Sequence, residues 1–124
     1  MIVRTCLLIS DDPDDHIEFS EALYEISDDT VLVTIANSRK AVDLLALKRC
    51  IPEYIFVNLG ITDLDTELFF STLEDPALRH VQVIACGESP DLSNMRNPRV
   101  AAFLDLDVSY SDLKAFLEKV VKPG

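Results

Sequence analysis

Apolar residues along the chain cluster in five short runs that are separated by longer segments of mixed character. The runs are nearly continuous in apolar character, which is typical of strands covered on both faces rather than of half-exposed strands. They are TCLLIS (5–10), VLVTIA (31–36), YIFVNL (54–59), VQVIAC (81–86) and VAAFLDL (100–106). The pattern therefore predicts five buried strands.

The segments between the runs predict helices with defined start signals. Asp12 and Pro13 supply a cap residue and the proline that is favoured at the first helical position. Starts of three further helices are predicted at Ser38, Asp65 and Ser109, and Asp75-Pro76 predicts the end of the third helix. The apolar residues expected to face the core are Phe19, Ala22, Leu23, Ile26, Ala41, Leu44, Leu45, Leu68, Phe69, Leu73, Leu113, Phe116, Leu117, Val120 and Val121.

Strands that alternate with helices of this length predict parallel βαβ units in a doubly wound α/β sheet. The exception is the segment 87–99, which contains two prolines and two asparagines in thirteen residues. Because proline and asparagine interrupt helices, the fourth helix is expected to be short, irregular or mobile.

Length and charge narrow the class of protein further. The 124 residues, 48% of them apolar, predict one domain spanning 1–124. The 22 acidic and 11 basic residues give a formal charge of −11, which disfavours binding to nucleic acid or to an anionic membrane. The stretch MIVRTCLLISDD has too short an apolar run for a signal peptide or a membrane span. We therefore expect a cytoplasmic protein whose partner is basic, or apolar with a charged rim.

The cysteines and histidines give no sign of a metal or catalytic site. Cys6, Cys50 and Cys86 show no metal-ligand spacing and are expected to be reduced, inert thiols. His16 and His80 have no cysteine or histidine partner nearby in the sequence, so both are expected to be surface imidazoles.

Polar residues follow four of the predicted strands. Sites in open parallel sheets form in the crevice outside the carboxyl ends of the strands, so these residues are the candidates for a functional site. They are Ser10, Asp11 and Asp12 after the first strand, Asn58, Gly60, Asp63 and Asp65 after the third, Gly87 and Glu88 after the fourth, and Asp105, Leu106 and Asp107 after the fifth. This edge is acidic and has no lysine, arginine or histidine among these positions.

Four strings in this order resemble the receiver domain of two-component response regulators, and in particular the single-domain receivers whose first helix opens on a D-Pro-D-D motif. The strings are LLISDDPDD, YIFVNLGITDLD, DPALRHVQVIAC and AAFLDLDVSYSDL. The resemblance spans essentially the whole chain. It implies a flavodoxin-like (CheY-like) fold with three α/β/α layers and a five-stranded parallel sheet in the order 2-1-3-4-5.

The resemblance also implies how an active receiver works. An aspartate at the end of the third strand accepts a phosphoryl group from a kinase phosphohistidine, and two acidic residues after the first strand help to hold Mg²⁺. A serine or threonine after the fourth strand and a lysine after the fifth contact the phosphoryl oxygens.

Most of these roles fall on residues that cannot perform them. The acceptor position falls on Asn58, the two acidic positions on Ser10 and Asp11, and the hydroxyl position on Gly87. The lysine position is Leu106, and the proline that follows it in the family is Asp107, so the peptide bond there is expected to be trans. Only Asp11 of the five key positions is retained. An amide is a poor nucleophile, a glycine has no hydroxyl, and a leucine cannot balance phosphoryl charge.

Alternatives remain open at these positions. Asn58 either bonds to backbone groups of the turn at 59–62 or lends its carbonyl oxygen to a weakly bound cation beside Asp11 and Asp12. The run DDPDD is either a solvated helix start or a residual metal site. Asp65 is better explained as a helix cap than as part of a metal-binding pair with Asp63. We expect no cofactor, or weak Mg²⁺ binding at most.

The leading hypothesis is a pseudo-receiver, which is not an enzyme and which acts by phosphorylation-independent protein binding, as a monomer or weak homodimer. Its partner is a histidine kinase or another signalling protein. The expected partner face contains Met95, Phe103, Tyr110, Asp112 and Glu118, with Phe103 as a fixed packing residue.

Two other classes of function were weighed against it. The first is a phosphorylated switch whose acceptor has moved to Asp11, Asp12 or Asp63. Modification by a serine/threonine kinase at Ser10, Thr62 or Thr66 has nothing in the sequence to favour it. The second class is a small enzyme or a flavin carrier on the same kind of sheet, and the acidic loop at 11–15 disfavours a flavin because it repels phosphate.

Overall fold

The computed structural model describes residues 3–61, 63–88 and 95–121. Strands and helices alternate along the chain, as the apolar pattern predicts. The elements are β1 (Arg4–Ile9), α1 (Pro13–Ile26), β2 (Thr30–Ile35), α2 (Ser38–Ala46), β3 (Tyr54–Asn58), α3 (Thr66–Thr72), a 3₁₀ turn (Pro76–Leu78), β4 (Gln82–Gly87), β5 (Val100–Asp105) and α4 (Tyr110–Val120).

The five strands form one parallel sheet in the order β2-β1-β3-β4-β5. This order confirms the predicted flavodoxin-like sheet. In the register, Asn58 at the end of β3 pairs with Cys86, and Gly87 at the end of β4 pairs with Asp105. The carboxyl ends of β3, β4 and β5 are therefore level with one another, and polar residues that follow them share one edge.

Helices cover both faces of the sheet, which confirms the three-layer architecture. On one face α1 and α4 pack through Phe19, Leu23, Leu113 and Leu117 against the strands. On the other face α2 and α3 pack against the sheet through buried residues that include Ala41, Leu45, Phe69 and Leu73. No helix in the described part of the chain is both long and apolar enough to cross a membrane.

The helices α1, α3 and α4 are capped by the residues that the sequence predicts at their starts, whereas α2 begins at Ser38 as predicted but is capped by Asn37. The carboxylate of Asp12 accepts a hydrogen bond from the Asp14 N–H at 2.9 Å, and that of Asp65 accepts from the Leu68 N–H at 3.1 Å. The Ser109 hydroxyl accepts from the Asp112 N–H at 3.1 Å. Each bond satisfies an N–H group that the helix itself leaves without a partner.

Two predictions about α3 need correction. Leu68 was expected in the core, yet its side chain is 37% exposed, because this seven-residue helix faces the sheet through Phe69. The helix also ends before Asp75-Pro76, and this pair instead begins the 3₁₀ turn, with the Asp75 carboxylate accepting from the Ala77 N–H.

Six of the thirteen residues in the segment predicted to contain a short or irregular fourth helix, 89–94, lie outside the described residues, as does Thr62. Residues 95–99 contain no helix and end in a turn before β5. The described residues contain no cis peptide bond, so the bond before Asp107 is trans as expected.

The three cysteines are free thiols. Cys6 and Cys86 are fully buried in the sheet. Burial raises the pKa of the Cys6 thiol to about 12, and it raises the pKa of Cys86 and Cys50 as well. Because the thiolate is the reactive form, all three thiols are poor nucleophiles at neutral pH.

Candidate functional site

Four loops meet at the carboxyl edge of the sheet around a cleft of about 460 Å³. Each loop follows one of the strands β1, β3, β4 and β5, as the rule for open parallel sheets predicts. The residues that line the cleft are Asp12, Asp15, Asn58, Gly60, Gly87, Glu88, Leu106 and Asp107. Seven of the eight are among the candidates that follow the predicted strands in the sequence, and Asp15 extends that set.

Ser10 is buried at the base of the cleft, directly after β1. Its N–H donates to the Ile35 carbonyl at 3.0 Å, which continues the β1–β2 ladder by one residue and holds the side chain inside the fold. The hydroxyl donates to Oδ2 of Asp15 at 2.7 Å and accepts from the Asp12 N–H at 3.2 Å. Ser10 therefore acts as a hydrogen-bonding residue where the resemblance places a carboxylate.

Asn58 is the last residue of β3 and is half-buried. Its Oδ1 accepts from the Gly60 N–H at 2.8 Å, so the amide closes the turn that follows the strand. Its Nδ2 points the other way, 3.4 Å from the Ser10 hydroxyl and 3.3 Å from Oδ2 of Asp15. Both ends of the Asn58 side chain are thus engaged, the oxygen by the backbone and the nitrogen by the base of the cleft.

Asp15 is a site residue that is absent from the predicted candidates, because the run DDPDD was interpreted either as a solvated helix start or as a residual metal site at Asp11 and Asp12. The residue is only 9% exposed and accepts hydrogen bonds from both Ser10 and Asn58 on one oxygen. Burial raises the pKa of this carboxyl group, against the hydrogen bonds from Ser10 and Asn58, which lower it. The signal was present, since Asp15 stands four residues before Phe19 on the apolar stripe of α1.

His16 also departs from its prediction as a surface imidazole. It is half-buried, and its Nε2 lies 2.6 Å from the carbonyl oxygen of Ser10, to which an N–H at that nitrogen donates. The contact fixes the loop after β1 to the first turn of α1. His80, by contrast, is exposed as expected.

The residual metal candidates lie on the rim. Asp11 and Asp12 are both exposed, and the carboxylate of Asp12 is used as the α1 cap. In the second acidic pair, the carboxylate of Asp65 caps α3 and Asp63 is exposed. The Asp63 carbonyl accepts from the Ser38 hydroxyl at 2.9 Å, which anchors the loop after β3 to α2.

The remaining wall of the cleft comes from the ends of β4 and β5. The Gly87 carbonyl accepts from the Leu106 N–H at 2.9 Å, and the Asp107 N–H donates to Oδ1 of Asp105 at 2.8 Å. Leu106 is partly buried against the core that α1 and α4 share. The wall thus offers an apolar side chain and no hydroxyl at the two positions that contact phosphoryl oxygens in the family.

The donor set does not fit the Mg²⁺ ion that the resemblance implies for an active receiver. The Asn58 carbonyl oxygen already accepts a backbone N–H, and Ser10 contributes a hydroxyl that donates its proton to Asp15. Among the described residues, no three acidic, histidine or cysteine side chains come together as a metal site. Mg²⁺ in proteins prefers near-octahedral oxygen ligands, including one or two carboxylates.

The residues of the expected partner face lie around β5 and α4. Phe103 projects from the edge strand β5 and is 47% exposed, whereas Tyr110 is half-buried against the core beneath α4. Met95 is half-buried, and Asp112 and Glu118 are exposed on α4. Phe103 lies on the α2 and α3 side of the sheet and Tyr110 on the other side, so the two rings flank the β5 edge.

The sheet order, the layers and the cleft together define the fold of response regulator receiver domains, and comparison with solved structures agrees. The phosphorylated cyanobacterial phytochrome response regulator RcpA matches with a TM-score of 0.77 and 17% identity, covering 95% of this chain and 91% of that one. The receiver domain of the Pseudomonas aeruginosa sensor histidine kinase PA1611, with a magnesium ion coordinated in its active site cleft, matches at 0.73 and 16%. That match covers 98% of this chain and 99% of the other.

A CheY-like receiver domain from Methylobacillus flagellatus matches with a TM-score of 0.73 and 13% identity, covering 95% of this chain and 98% of that one. At identities of 13 to 17%, these structural matches show a shared fold. No protein-family model matches the chain, and no curated protein matches it either.

Proposed function

We propose that this chain is a receiver-type signalling module that binds a protein partner without being phosphorylated. The observation that carries the proposal is Asn58, which occupies the position of the phosphoryl acceptor with both ends of its amide engaged. An amide is a poor nucleophile because the nitrogen lone pair is delocalised into the carbonyl, and here the nitrogen is also held by hydrogen bonds that it donates to Ser10 and Asp15. The acceptor position thus serves to hold the cleft together.

The surroundings of Asn58 support the same reading. A phosphoryl group in the cleft would face the carboxylates of Asp15, Glu88 and Asp107 without a lysine to balance its charge. Gly87 has no hydroxyl that could follow the group and carry the signal to β5. The chain has no acceptor carboxylate at residue 58, no hydroxyl at residue 87 and no lysine at residue 106. These three differences together favour a site that does not carry out phosphoryl transfer.

The partner is proposed to be a histidine kinase or another signalling protein of a two-component or phosphorelay pathway. Two proteins of the same fold support this choice, since one is a phytochrome response regulator and the other belongs to a sensor histidine kinase. A cytoplasmic location and a monomeric or weakly dimeric state complete the proposal.

Intact-mass measurement after incubation with Mg²⁺ and acetyl phosphate tests the absence of phosphorylation. The expected result is an unchanged mass. An acid-stable, base-labile adduct of one phosphate contradicts the proposal, and peptide mapping would then show whether Asp11, Asp12 or Asp63 is a relocated acceptor. A conventional receiver treated in parallel is the control for the reagent.

Partner capture from the native host tests the proposed face around β5 and α4. Phe103→Ala removes the exposed ring and Asp112→Lys reverses a rim charge, so each is expected to reduce capture of specific partners. Matched controls on other surfaces are Val31→Ala, which truncates an exposed apolar residue on β2, and Asp43→Lys on α2. An unchanged partner set for the first two variants shows that the face is wrong.

A further inference from the structure

The cleft contains a buried carboxylate that forms no ion pair with another of the described residues. Asp15 is nine-tenths buried and lines the cleft, and its hydrogen bonds come from the neutral groups of Ser10 and Asn58. Both bonds reach Oδ2, so Oδ1 is left for a ligand within the cleft. In the described residues, no ion pair involves Asp15. A buried charge of this kind is costly unless a partner compensates it.

The described residues around the cleft supply no ion-pair partner for Asp15. His16 lowers the pKa of Asp15 by its charge, but its Nε2 is bonded to the Ser10 carbonyl. The described loop residues in 9–15, 57–61, 63–67, 86–88 and 104–113 include no lysine or arginine. Glu88 and Asp107, both exposed, add negative charge at the mouth of the same cleft. The potential in the cleft is therefore negative from its base to its rim, which attracts a cation from outside the chain.

The shape of the cleft selects among cations. Leu106 gives it one apolar wall, and Gly60 and Gly87 contribute no side-chain bulk, so there is room for an organic group in the volume of about 460 Å³. A guanidinium is planar, weakly hydrated and able to bond a carboxylate while it lies against an apolar surface. Mg²⁺ is a poorer match, because the oxygens of Ser10 and Asn58 are already committed.

We propose that the cleft binds an arginine side chain of the partner protein, with the guanidinium bonded to Asp15 and flanked by Glu88 and Asp107. The site would then use an incoming cation where an active receiver uses its own lysine and a metal ion. This inference rests on the proposed function, because it describes how the phosphorylation-independent partner is recognised. The formal charge of −11 agrees with a basic segment as the ligand.

Nuclear magnetic resonance titration of the full chain tests the proposal with defined probes. The first probe is acetyl-Gly-Gly-Arg-Gly-Gly-amide, and its control carries citrulline, which has nearly the shape of arginine without the charge. The expected result is saturable shifts of the Gly60, Gly87 and Asp107 amides with the arginine peptide alone. Equal shifts with the citrulline peptide would contradict a cation site.

Substitutions assign the binding to the cleft. Asp15→Asn is expected to weaken binding of the arginine peptide at least about 10-fold, since a charge-assisted bond is replaced by a neutral one. Asp107→Asn is expected to weaken it less, and Asp28→Asn, which removes an exposed charge outside the cleft, is expected to leave it unchanged. Equal weakening by all three variants would mean that only the net charge is felt, which overturns the proposal.

Two further probes separate the sources of the cation. Agmatine is a free guanidinium, and binding of agmatine as tight as that of the peptide would assign the site to a small molecule instead of a partner protein. Saturable Mg²⁺ binding at the same amides that the peptide cannot displace would assign it to a metal. Either result overturns this inference but leaves the proposed function standing, because that proposal is tested by the absence of phosphorylation and by partner capture and not by what occupies the cleft.

Discussion

Asp15 carries a carboxyl group whose ionised form is disfavoured by burial, so the stability of the fold should depend on its titration. Burial raises the pKa of this group in the folded state, above the value of about 3.9 that it has when unfolded. At pH values below both pKa values, the group is protonated in the folded and in the unfolded state, so it does not change the free energy of unfolding. As pH rises through the unfolded pKa, the unfolded state releases its proton first, and stability falls until the raised pKa is passed.

Asp15→Asn is therefore expected to make the protein more stable than the wild type at neutral pH and equally stable at acid pH. The variant keeps an oxygen that accepts from Ser10 and Asn58. Urea unfolding from about pH 3 to about pH 8 measures the difference, with Asp28→Asn as an exposed control. A variant that is less stable at neutral pH would mean that the hydrogen bonds to the carboxylate outweigh the cost of its burial.

Asn58→Asp tests whether one substitution is enough for the cleft to accept a phosphoryl group. The new carboxylate would lie where Nδ2 now stands, 3.3 Å from Oδ2 of Asp15, so we expect a loss of roughly 1 to 3 kcal/mol of stability at neutral pH. Phosphorylation by acetyl phosphate should stay far below stoichiometric, because Gly87 and Leu106 are unchanged. Urea unfolding and intact mass measure the two effects.

The control for this experiment restores all three positions. Asn58→Asp combined with Gly87→Thr and Leu106→Lys supplies an acceptor, a hydroxyl and an amine, and is expected to be modified more than the single variant. Near-stoichiometric modification of the single variant would show that the departures at residues 87 and 106 matter little.

At the scale of the elements, the features that the sequence predicted correctly are local ones. Asp12, Asp65 and Ser109 cap helices because a short polar side chain reaches N–H groups two or three residues ahead, which depends on no other part of the fold. The strands were predicted for a related reason, since burial on both faces leaves a nearly continuous apolar run. The sheet order came from the resemblance and not from these patterns.

The features that were missed depend on contacts between distant residues. Asp15 was grouped with its acidic neighbours, although its partner Asn58 is 43 residues away and only the pairing of β1 with β3 brings the two together. Leu68 was assigned to the core by its chemical type, whereas α3 packs on the sheet through Phe69, with Phe70 partly buried, and leaves Leu68 exposed. Composition predicts burial on average and does not say which side of a short helix meets the sheet.

Arg99 connects elements that are separate in the sequence, and this gives a prediction at the same scale. Its guanidinium donates to the carbonyl oxygens of Val81 and Leu78, each at 2.6 Å, so it ties the turn before β5 to the 3₁₀ turn before β4. Arg99→Ala removes both bonds and is expected to cost roughly 1.5 to 3 kcal/mol in urea unfolding. The lysine of Arg99→Lys can reach one of the two carbonyls, so the stability of this variant should lie between that of the wild type and that of Arg99→Ala. An unchanged midpoint for both variants would mean that water replaces the guanidinium without loss.

Over the whole molecule, acidic residues outnumber the basic residues that could pair with them. The chain has 22 acidic and 11 basic residues, and the ion pairs in the described residues join Arg39 to Asp43, Lys48 to Asp75 and Lys114 to Glu25. The side chains in these pairs are 34 to 75% exposed, and solvent-exposed pairs typically contribute about 0 to 1 kcal/mol. Repulsion among the remaining carboxylates should therefore destabilise the compact state at low ionic strength.

Sodium chloride is accordingly expected to stabilise the fold at neutral pH. Raising its concentration from about 0.01 M to about 0.1 M shortens the Debye length from roughly 30 Å to roughly 10 Å, which screens carboxylates on opposite sides of the domain from one another. The urea midpoint should rise across this range and change little near pH 3, where most carboxylates are protonated. Chloride is preferred to sulfate because sulfate also strengthens apolar burial. A midpoint that falls with salt at neutral pH would mean that the attraction within the three ion pairs outweighs the repulsion among the carboxylates. The acidic surface would then not destabilise the fold.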